Sequence, residues 1–227
     1  MNDRDVFDDL LEEAASGCPI CRRSDRSAKR FIATFAYELT NDPTVRSELR
    51  RSLGFCRRHA VDVAAQTGAP LSVSIVCADL CAGVARRLAA AKPIRATGPC
   101  PACDVAAQRE QHDLEIIGRR RVPNVCAPHP RNVPRRELPR GSAVGAALPV
   151  GELDQAVRHA PGEAERQSAA YSALQHRLEA VIRHHDYRFR DEPFDDFGAT
   201  WQALSVFSGT DPRRRPAAGA SDPLDPA

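Results

Sequence analysis

Apolar residues recur every three or four positions through most of the first 92 residues. The three clearest stripes are Val6, Phe7, Leu10, Leu11 and Ala14; Ala28, Phe31, Ile32, Phe35, Ala36 and Leu39; and Val73, Val76, Cys77, Leu80, Cys81, Val84 and Leu88. This spacing places each stripe on one helical face and predicts three amphipathic helices. Asp42-Pro43 predicts an N-cap and first turn, and Gly54 predicts the end of that helix. A further helix is predicted from near Cys56 to near Gly68.

The pattern is less regular beyond residue 92. Residues 164–189 are predicted to form one long helix, and Trp201 with Leu204 indicates a last short one. The helical signal between Cys100 and His129 is weak, and the Pro- and Arg-rich stretch from Pro130 to Pro149 predicts a mobile linker. No alternation typical of strands is present, apart from short ribbons allowed at the cysteine pairs. We therefore predict a mostly α protein with a disordered tail at residues 209–227.

The predicted division of the chain follows these patterns. Cys-x2-Cys and Cys-x2-His pairs, which are ligand patterns typical of zinc, occur both before and after residue 92. Residues 1–92 are expected to form an N-terminal helical module with a first zinc site. Residues 93–149 are expected to form a second, shorter zinc module and the linker, and residues 150–208 the C-terminal helices. A length of 227 residues fits one to two domains.

Four short pairs of cysteine and histidine residues carry the main chemical signal. In chain order they are Cys18 and Cys21, Cys56 and His59, Cys100 and Cys103, and Cys126 and His129. The pattern Cys-x2-Cys followed by Cys-x2-His thus occurs twice, as an internal repeat. Taken in chain order, each repeat supplies three thiolates and one imidazole.

Zinc prefers four such ligands at tetrahedral corners, and Cys3His with two Cys-x2-Cys turns favours zinc over iron. A Cys-x2-Cys knuckle directs two thiolates to one point, and a second pair in the first turn of a helix completes the tetrahedron. We therefore expect two closed, structural zinc sites per chain. The second repeat has the shorter spacer, and Pro130 directly after His129 argues against a regular helix there.

Composition narrows the functional classes. Hydrophobic residues make up 42% of the chain, charged residues 27%, and the formal net charge is +2. These values are typical of a soluble globular protein, and no apolar run reaches the roughly 18 residues that a membrane span requires. The N-terminal segment is acidic and lacks the apolar stretch that a signal peptide requires. We expect a cytoplasmic protein with reduced cysteines and no membrane partner.

Three further features leave alternative functions open. Cys77 and Cys81 lie four residues apart on an apolar stripe. They are either small core residues or a reactive thiol pair. The segment after the long helix contains a polar and aromatic group, a candidate functional cluster made of His185, Asp186, Tyr187, Arg188 and Arg190. The stretch from Arg119 to Arg140 has seven arginines and could contact nucleic-acid phosphates, although it lacks aromatic residues for stacking.

The complete motif set resembles a family of uncharacterised bacterial proteins, a domain of unknown function. Its members carry paired CPxC and CxxH elements and a C-terminal HDYRF-type motif before a tryptophan, and the resemblance covers residues 15–208. It implies a mostly helical, cytoplasmic, zinc-binding protein without an established activity. By matching motif, the first ligand set would be Cys18, Cys21, Cys56 and His59, and the second would be Cys100, Cys103, Cys126 and His129.

These observations favour a zinc protein that acts as an interaction or regulatory module, with an unknown protein partner. They motivate two alternatives, which are an enzyme or redox protein using the spare thiols or the His185 cluster, and a nucleic-acid-binding protein. No catalytic constellation is recognisable in the sequence, so an enzymatic function is not favoured.

Overall fold

The computed structural model describes residues 3–66, 69–118, 122–123, 125–126, 147–189, 191–194, 196 and 198–209. Over these ranges the chain is helical and contains no β-strand. Its α-helices are α1 (Asp3–Glu13), α2 (Pro19–Thr34), α3 (Pro43–Ser52), α4 (Arg57–Ala64), α5 (Ala69–Ala89), α6 (Pro101–Ile117), α7 (Val150–His159), α8 (Glu163–His184) and α9 (Gly198–Ser208). Helix α2 continues as a π-helical turn at Phe35–Leu39. The predicted mostly α fold is confirmed.

Most of the helices follow the apolar pattern, and two do not. Helices α1 to α5, α8 and α9 lie where the periodicity predicts them. Helix α6 falls in the stretch of weak signal, and α7 was not predicted. The prediction that short ribbons form at the Cys-x2-Cys pairs is wrong, because Cys18 and Cys100 are the N-caps of helices α2 and α6. The proline after each cysteine fits the first helical position and favours the helix.

The main hydrophobic core is built around the antiparallel pair α5 and α8. Ser168, near the start of α8, donates a hydrogen bond to the carbonyl oxygen of Ala85, near the end of α5 (3.1 Å). Tyr171, Leu178 and Val181 on α8 are completely buried against α5 and its neighbours. Helix α9 packs on the same core, where the hydroxyls of Ser74 and Thr200 share a buried hydrogen bond of 2.6 Å.

A second antiparallel pair, α2 and α6, positions the cysteine motifs. Arg23 near the start of α2 contacts Asp113 near the end of α6 (3.2 Å), whereas Ala28 and Ile32 further along α2 share a core with Ala102 at the start of α6. The two N-termini therefore lie at opposite ends of the pair. A 16-residue helix is about 24 Å long, so the two CPxC motifs are separated by about that distance.

The two ends of this pair meet different cores. The start of α6 adjoins the main core, which includes Cys100 and Ala102. The start of α2 adjoins a small satellite core of Val6, Leu10, Ile20 and Ile117. Helix α1 supplies two of these four residues.

Several predicted features lie outside the described residues. They include the tail from residue 210, nearly all of the linker, most of the stretch from Arg119 to Arg140, and both His129 and Arg190. Among the helices that the structure does describe, none has the length and apolar character to cross a bilayer.

Candidate metal centres

Three cysteine motifs begin helices in the same way. Cys18, Cys56 and Cys100 are N-caps with extended backbones, directly before α2, α4 and α6. The second ligand of each motif, three residues later, lies in the first turn. Side chains at the N-cap and third helical position converge on the same side of a helix start, as they do in ordinary capping. The positive end of the helix dipole also favours a thiolate there.

The inner cluster joins the starts of α4 and α6 and consists of Cys56, His59, Cys100 and Cys103. Their ligand atoms all lie within 4.8 Å of one another. The Nδ1 atom of His59 is 3.4 Å from Cys56 Sγ, 3.4 Å from Cys103 Sγ and 3.6 Å from Cys100 Sγ. The Sγ atoms of Cys56 and Cys103 are 3.6 Å apart. All three thiols thus face one imidazole nitrogen.

These separations fit the edges of a zinc tetrahedron. With Zn–S bonds of about 2.3 Å and Zn–N bonds of about 2.0–2.1 Å, tetrahedral angles give edges of about 3.8 Å between sulfurs and about 3.6 Å between sulfur and nitrogen. The observed values of 3.6 Å and 3.4–3.6 Å agree within about 0.2 Å. The donor set and its size therefore suit a four-coordinate ion, with Nδ1 as the ligand atom of His59.

The contacts among the inner thiols favour one thiolate at a time, since Cys100 and Cys56 raise the pKa of Cys103. The thiols of Cys100 and Cys103 stabilise the Cys56 thiolate and hold the pKa of Cys56 far below its usual value. Burial opposes protonation of His59, but Cys100 and Cys56 outweigh it and raise the pKa of His59 to about 9. A divalent ion would satisfy all three thiolates and a neutral imidazole at once.

The outer cluster lies at the opposite end of the α2–α6 pair and contains Cys18, Cys21 and Cys126. Their sulfurs are within 4.8 Å of one another, and Cys21 Sγ is 3.6 Å from Cys126 Sγ. Burial, reinforced by the neighbouring Cys126 thiol, raises the pKa of Cys21 to about 12. Cys21 and Cys126 are exposed, whereas Cys100 and His59 in the inner cluster are buried.

The grouping of ligands predicted from chain order is wrong. Each cluster combines a Cys-x2-Cys pair from one repeat with ligands from the other repeat. The reason is the antiparallel packing of α2 and α6. Cys126 follows the end of α6, where this packing also places Cys18 and Cys21, and α4 meets the start of α6 rather than the start of α2. Seven of the eight predicted ligands fall in the two clusters, and His129 lies outside the described residues. Spacing along the chain carries no information on helix direction, so it could not give the grouping.

The spare thiols Cys77 and Cys81 lie inside the main core. Both are buried, and burial raises the pKa of Cys77 to about 12 and that of Cys81 further. Cys77 borders a cavity of only about 10 Å³, which is about the space of one water molecule. This environment fits small core residues and disfavours reactive thiols.

The residues after α8 form a tightly contacted turn. The imidazole Nδ1–H of His185 donates to the carbonyl oxygen of Val181 (2.8 Å), as expected at a helix end. Arg188 contacts Asp186 at 2.6 Å and lowers the pKa of Asp186 to about 2. Tyr187 is 82% exposed. These contacts account for the ending of α8, and a functional role for the cluster stays a prediction.

A buried charge network beside the outer cluster was not predicted from the sequence. Asp113 on α6 is completely buried and contacts Arg23 (3.2 Å) and Arg109 (2.9 Å). Arg23 also reaches Asp9 and Glu13 on α1. Burial raises the pKa of Asp113 even though Arg23 opposes the change. The network links α1, α2 and α6 beside the outer cluster.

Comparison with known proteins finds a similarity over the first third of the chain. Residues 2–76 match a family of unknown function (DUF6062), in agreement with the resemblance recognised from the motifs. No curated protein and no solved structure matches the chain. The matched range includes Cys18, Cys21, Cys56 and His59, and the residues that the structure groups with them lie beyond it.

Proposed function

We propose that this chain is a zinc-binding protein in which two structural Zn²⁺ ions fasten three helix starts and the end of α6. The inner ion would be held by Cys56, His59, Cys100 and Cys103. The outer ion would be held by Cys18, Cys21 and Cys126, with His129 as the fourth ligand. Such an ion supplies cross-linking and folding free energy, since four protein ligands leave no open coordination position for a substrate.

The observation that carries this proposal is the geometry of the inner cluster. Its sulfur–sulfur and sulfur–nitrogen separations match a zinc tetrahedron, and its donors sit on two helix starts. Ionising all three thiols of the inner cluster is costly without a cation, because neighbouring thiolates repel one another. Zinc removes that cost.

In cellular terms we propose a bacterial cytoplasmic module for interaction or regulation, with a protein partner. Reduced cysteines in two ligand sets support a reducing compartment. The matching placement of Cys18 and Cys100 as helix caps, each followed by proline, supports an internal repeat. The domain boundaries at residues 92, 149 and 208 stay predictions, as does nucleic-acid binding through the Arg119–Arg140 stretch. The burial of Cys77 and Cys81 weakens the case for a thiol enzyme.

Metal content measured by elemental mass spectrometry tests the proposal. We expect two zinc atoms per chain in protein purified under reducing conditions without added metal. X-ray absorption at the zinc edge should give Zn–S distances of about 2.3 Å and Zn–N distances of about 2.0–2.1 Å, with about three sulfurs for each nitrogen. Folded protein that takes up no zinc would refute the proposal.

Paired substitutions test which ligands share an ion. The double variant Cys56→Ser with Cys103→Ser removes two ligands of one cluster and should lose one zinc atom. The variant Cys56→Ser with Cys21→Ser touches both clusters and should lose two. Grouping in chain order gives the opposite result for each pair, so the two counts together separate the arrangements. The variant Cys77→Ala with Cys81→Ala serves as a control and should retain both ions.

A further inference from the structure

The outer cluster differs from the inner one in its access to solvent. Cys21 and Cys126 are exposed, whereas every inner ligand is buried or half-buried in the main core. Small oxidants reach exposed thiolates far more readily than buried ones. The difference therefore concerns chemical reactivity as well as stability.

The two sulfurs of the exposed pair are in van der Waals contact. The Sγ atoms of Cys21 and Cys126 are 3.6 Å apart, and a disulfide requires about 2.05 Å. The sulfurs must approach by about 1.5 Å. Cys126 lies outside the helices, in the segment that follows α6, so its backbone is not fixed by helical hydrogen bonds.

We propose that the outer cluster is an oxidation site for hydroperoxides, at which Cys21 and Cys126 form a disulfide and the zinc ion is released. Release of the ion rests on the proposed zinc-binding function, whereas the contact between the two sulfurs does not. The inner cluster retains its ion under the same treatment, because its ligands are enclosed by the helices of the main core.

The reaction balances with hydrogen peroxide as the oxidant. One thiolate attacks a peroxide oxygen, the O–O bond breaks, and a sulfenic acid and hydroxide form. The second thiolate attacks the sulfenic sulfur, the S–S bond forms, and a second hydroxide leaves. Two electrons pass from the thiolate pair to peroxide, and two protons from solvent convert both hydroxides to water.

Loss of the ion follows from the loss of donors. A disulfide sulfur is a poor zinc ligand, since zinc binds the thiolate form. The disulfide removes two of the three described ligands and leaves Cys18 as the single thiolate. A thiol reductant restores both thiolates, so the site is expected to reload when zinc is supplied.

The test treats full-length, zinc-loaded protein with one to five equivalents of hydrogen peroxide in the presence of a colorimetric zinc chelator. We expect one zinc per chain to be released, at a rate on the order of tenfold or more above that of the second ion. Peptide mass spectrometry should identify a Cys21–Cys126 disulfide. Reductant followed by zinc should restore the original metal content. Chelator without peroxide gives the background rate.

Two variants make the result specific. The Cys77→Ala, Cys81→Ala variant keeps the outer cluster and should release zinc as the unmodified protein does. The Cys126→Ser variant lacks one thiol of the pair and is expected to lack the outer ion, so it should show neither the fast release nor a peroxide-dependent disulfide at Cys21. Simultaneous release of both ions, earlier release of the inner ion, or a disulfide at other cysteines would overturn the inference.

Failure of the two proposals can be told apart. Protein that binds two zinc ions but resists peroxide at both sites contradicts the oxidation site and leaves the zinc-binding function intact. Protein that never binds zinc contradicts the proposed function. In that case, the reduced, metal-free protein still tests the Cys21–Cys126 pair by disulfide mapping, and absence of the disulfide contradicts this inference also.

Discussion

The inner and outer clusters share a local design but have different surroundings. Each has a cysteine N-cap, a proline at the first helical position and a second cysteine in the first turn. The inner cluster adjoins the core formed by α5, α8 and α9, whereas the outer one adjoins a satellite core of four residues. The local motif is therefore the same at both clusters, and the tertiary neighbourhood makes them differ in burial.

This difference in surroundings predicts that each cluster stabilises a different part of the fold. The inner cluster connects α4 and α6, and its ligands pack against the main core. The outer cluster connects the start of α2 with the segment after α6, next to α1. Loss of the first is expected to disturb the whole fold, and loss of the second to disturb one end of it. Four predictions, one of them with a matched control variant, test this comparison.

The largest effect is expected for Cys100→Ser in the inner cluster. This change removes a buried ligand and leaves a buried hydroxyl among the remaining donors. We expect loss of one zinc and a decrease in the free energy of unfolding of at least about 4 kcal/mol, measured by urea denaturation. A decrease no larger than that of an outer-cluster variant would contradict the comparison.

The next effect is expected for Arg23→Met, in the charge network beside the outer cluster. The change leaves Asp113 buried with Arg109 as its remaining partner. Removal of one member of a buried pair costs about 3–5 kcal/mol, and Arg109 should keep the loss near the lower value.

Arg26→Met is the matched control for that variant, because Arg26 is half-exposed and contacts only Glu13 among the ion pairs described. It should cost less than about 1 kcal/mol. Equal urea midpoints for the two variants would show that the buried network does not stabilise the α1–α2–α6 end.

A smaller and more local effect is expected for Cys126→Ser. One zinc should be lost, and the free energy of global unfolding should fall by only about 1–2 kcal/mol. Hydrogen exchange should show lost protection in α1 and at the end of α6, with α5 and α8 unchanged. Lost protection in α5 would indicate that the outer ion stabilises the main core as well.

The smallest effect is expected for Cys77→Ala combined with Cys81→Ala. The two thiols are replaced by smaller apolar groups in the main core, at a combined cost of about 1 kcal/mol. Zinc content should stay at the value of the unmodified protein. A fall in zinc content would assign these thiols to a metal, in conflict with their place on α5.

The two helices that periodicity missed share a physical cause. Helix α6 buries Ala102, Asp113 and Ile117 rather than a row of large apolar side chains. Its packing on α2 depends on small residues and on the Arg23–Asp113 pair, neither of which produces a hydrophobic stripe. Helix α7 has ten residues, of which Val150 and Leu153 are buried, and this is too short a run to establish a period.

The sequence alone was enough to single out the cysteine and histidine residues that form the two clusters, the helical class and most helix positions. These follow from local chemistry, such as the spacing of thiols, the restricted backbone of proline and the 3.6-residue period of a helix. The grouping of the ligands, the burial of one cluster and the exposure of the other depended on the tertiary structure. They follow from the antiparallel packing of α2 on α6, which rests on long-range contacts such as Arg23 with Asp113 that no local pattern encodes.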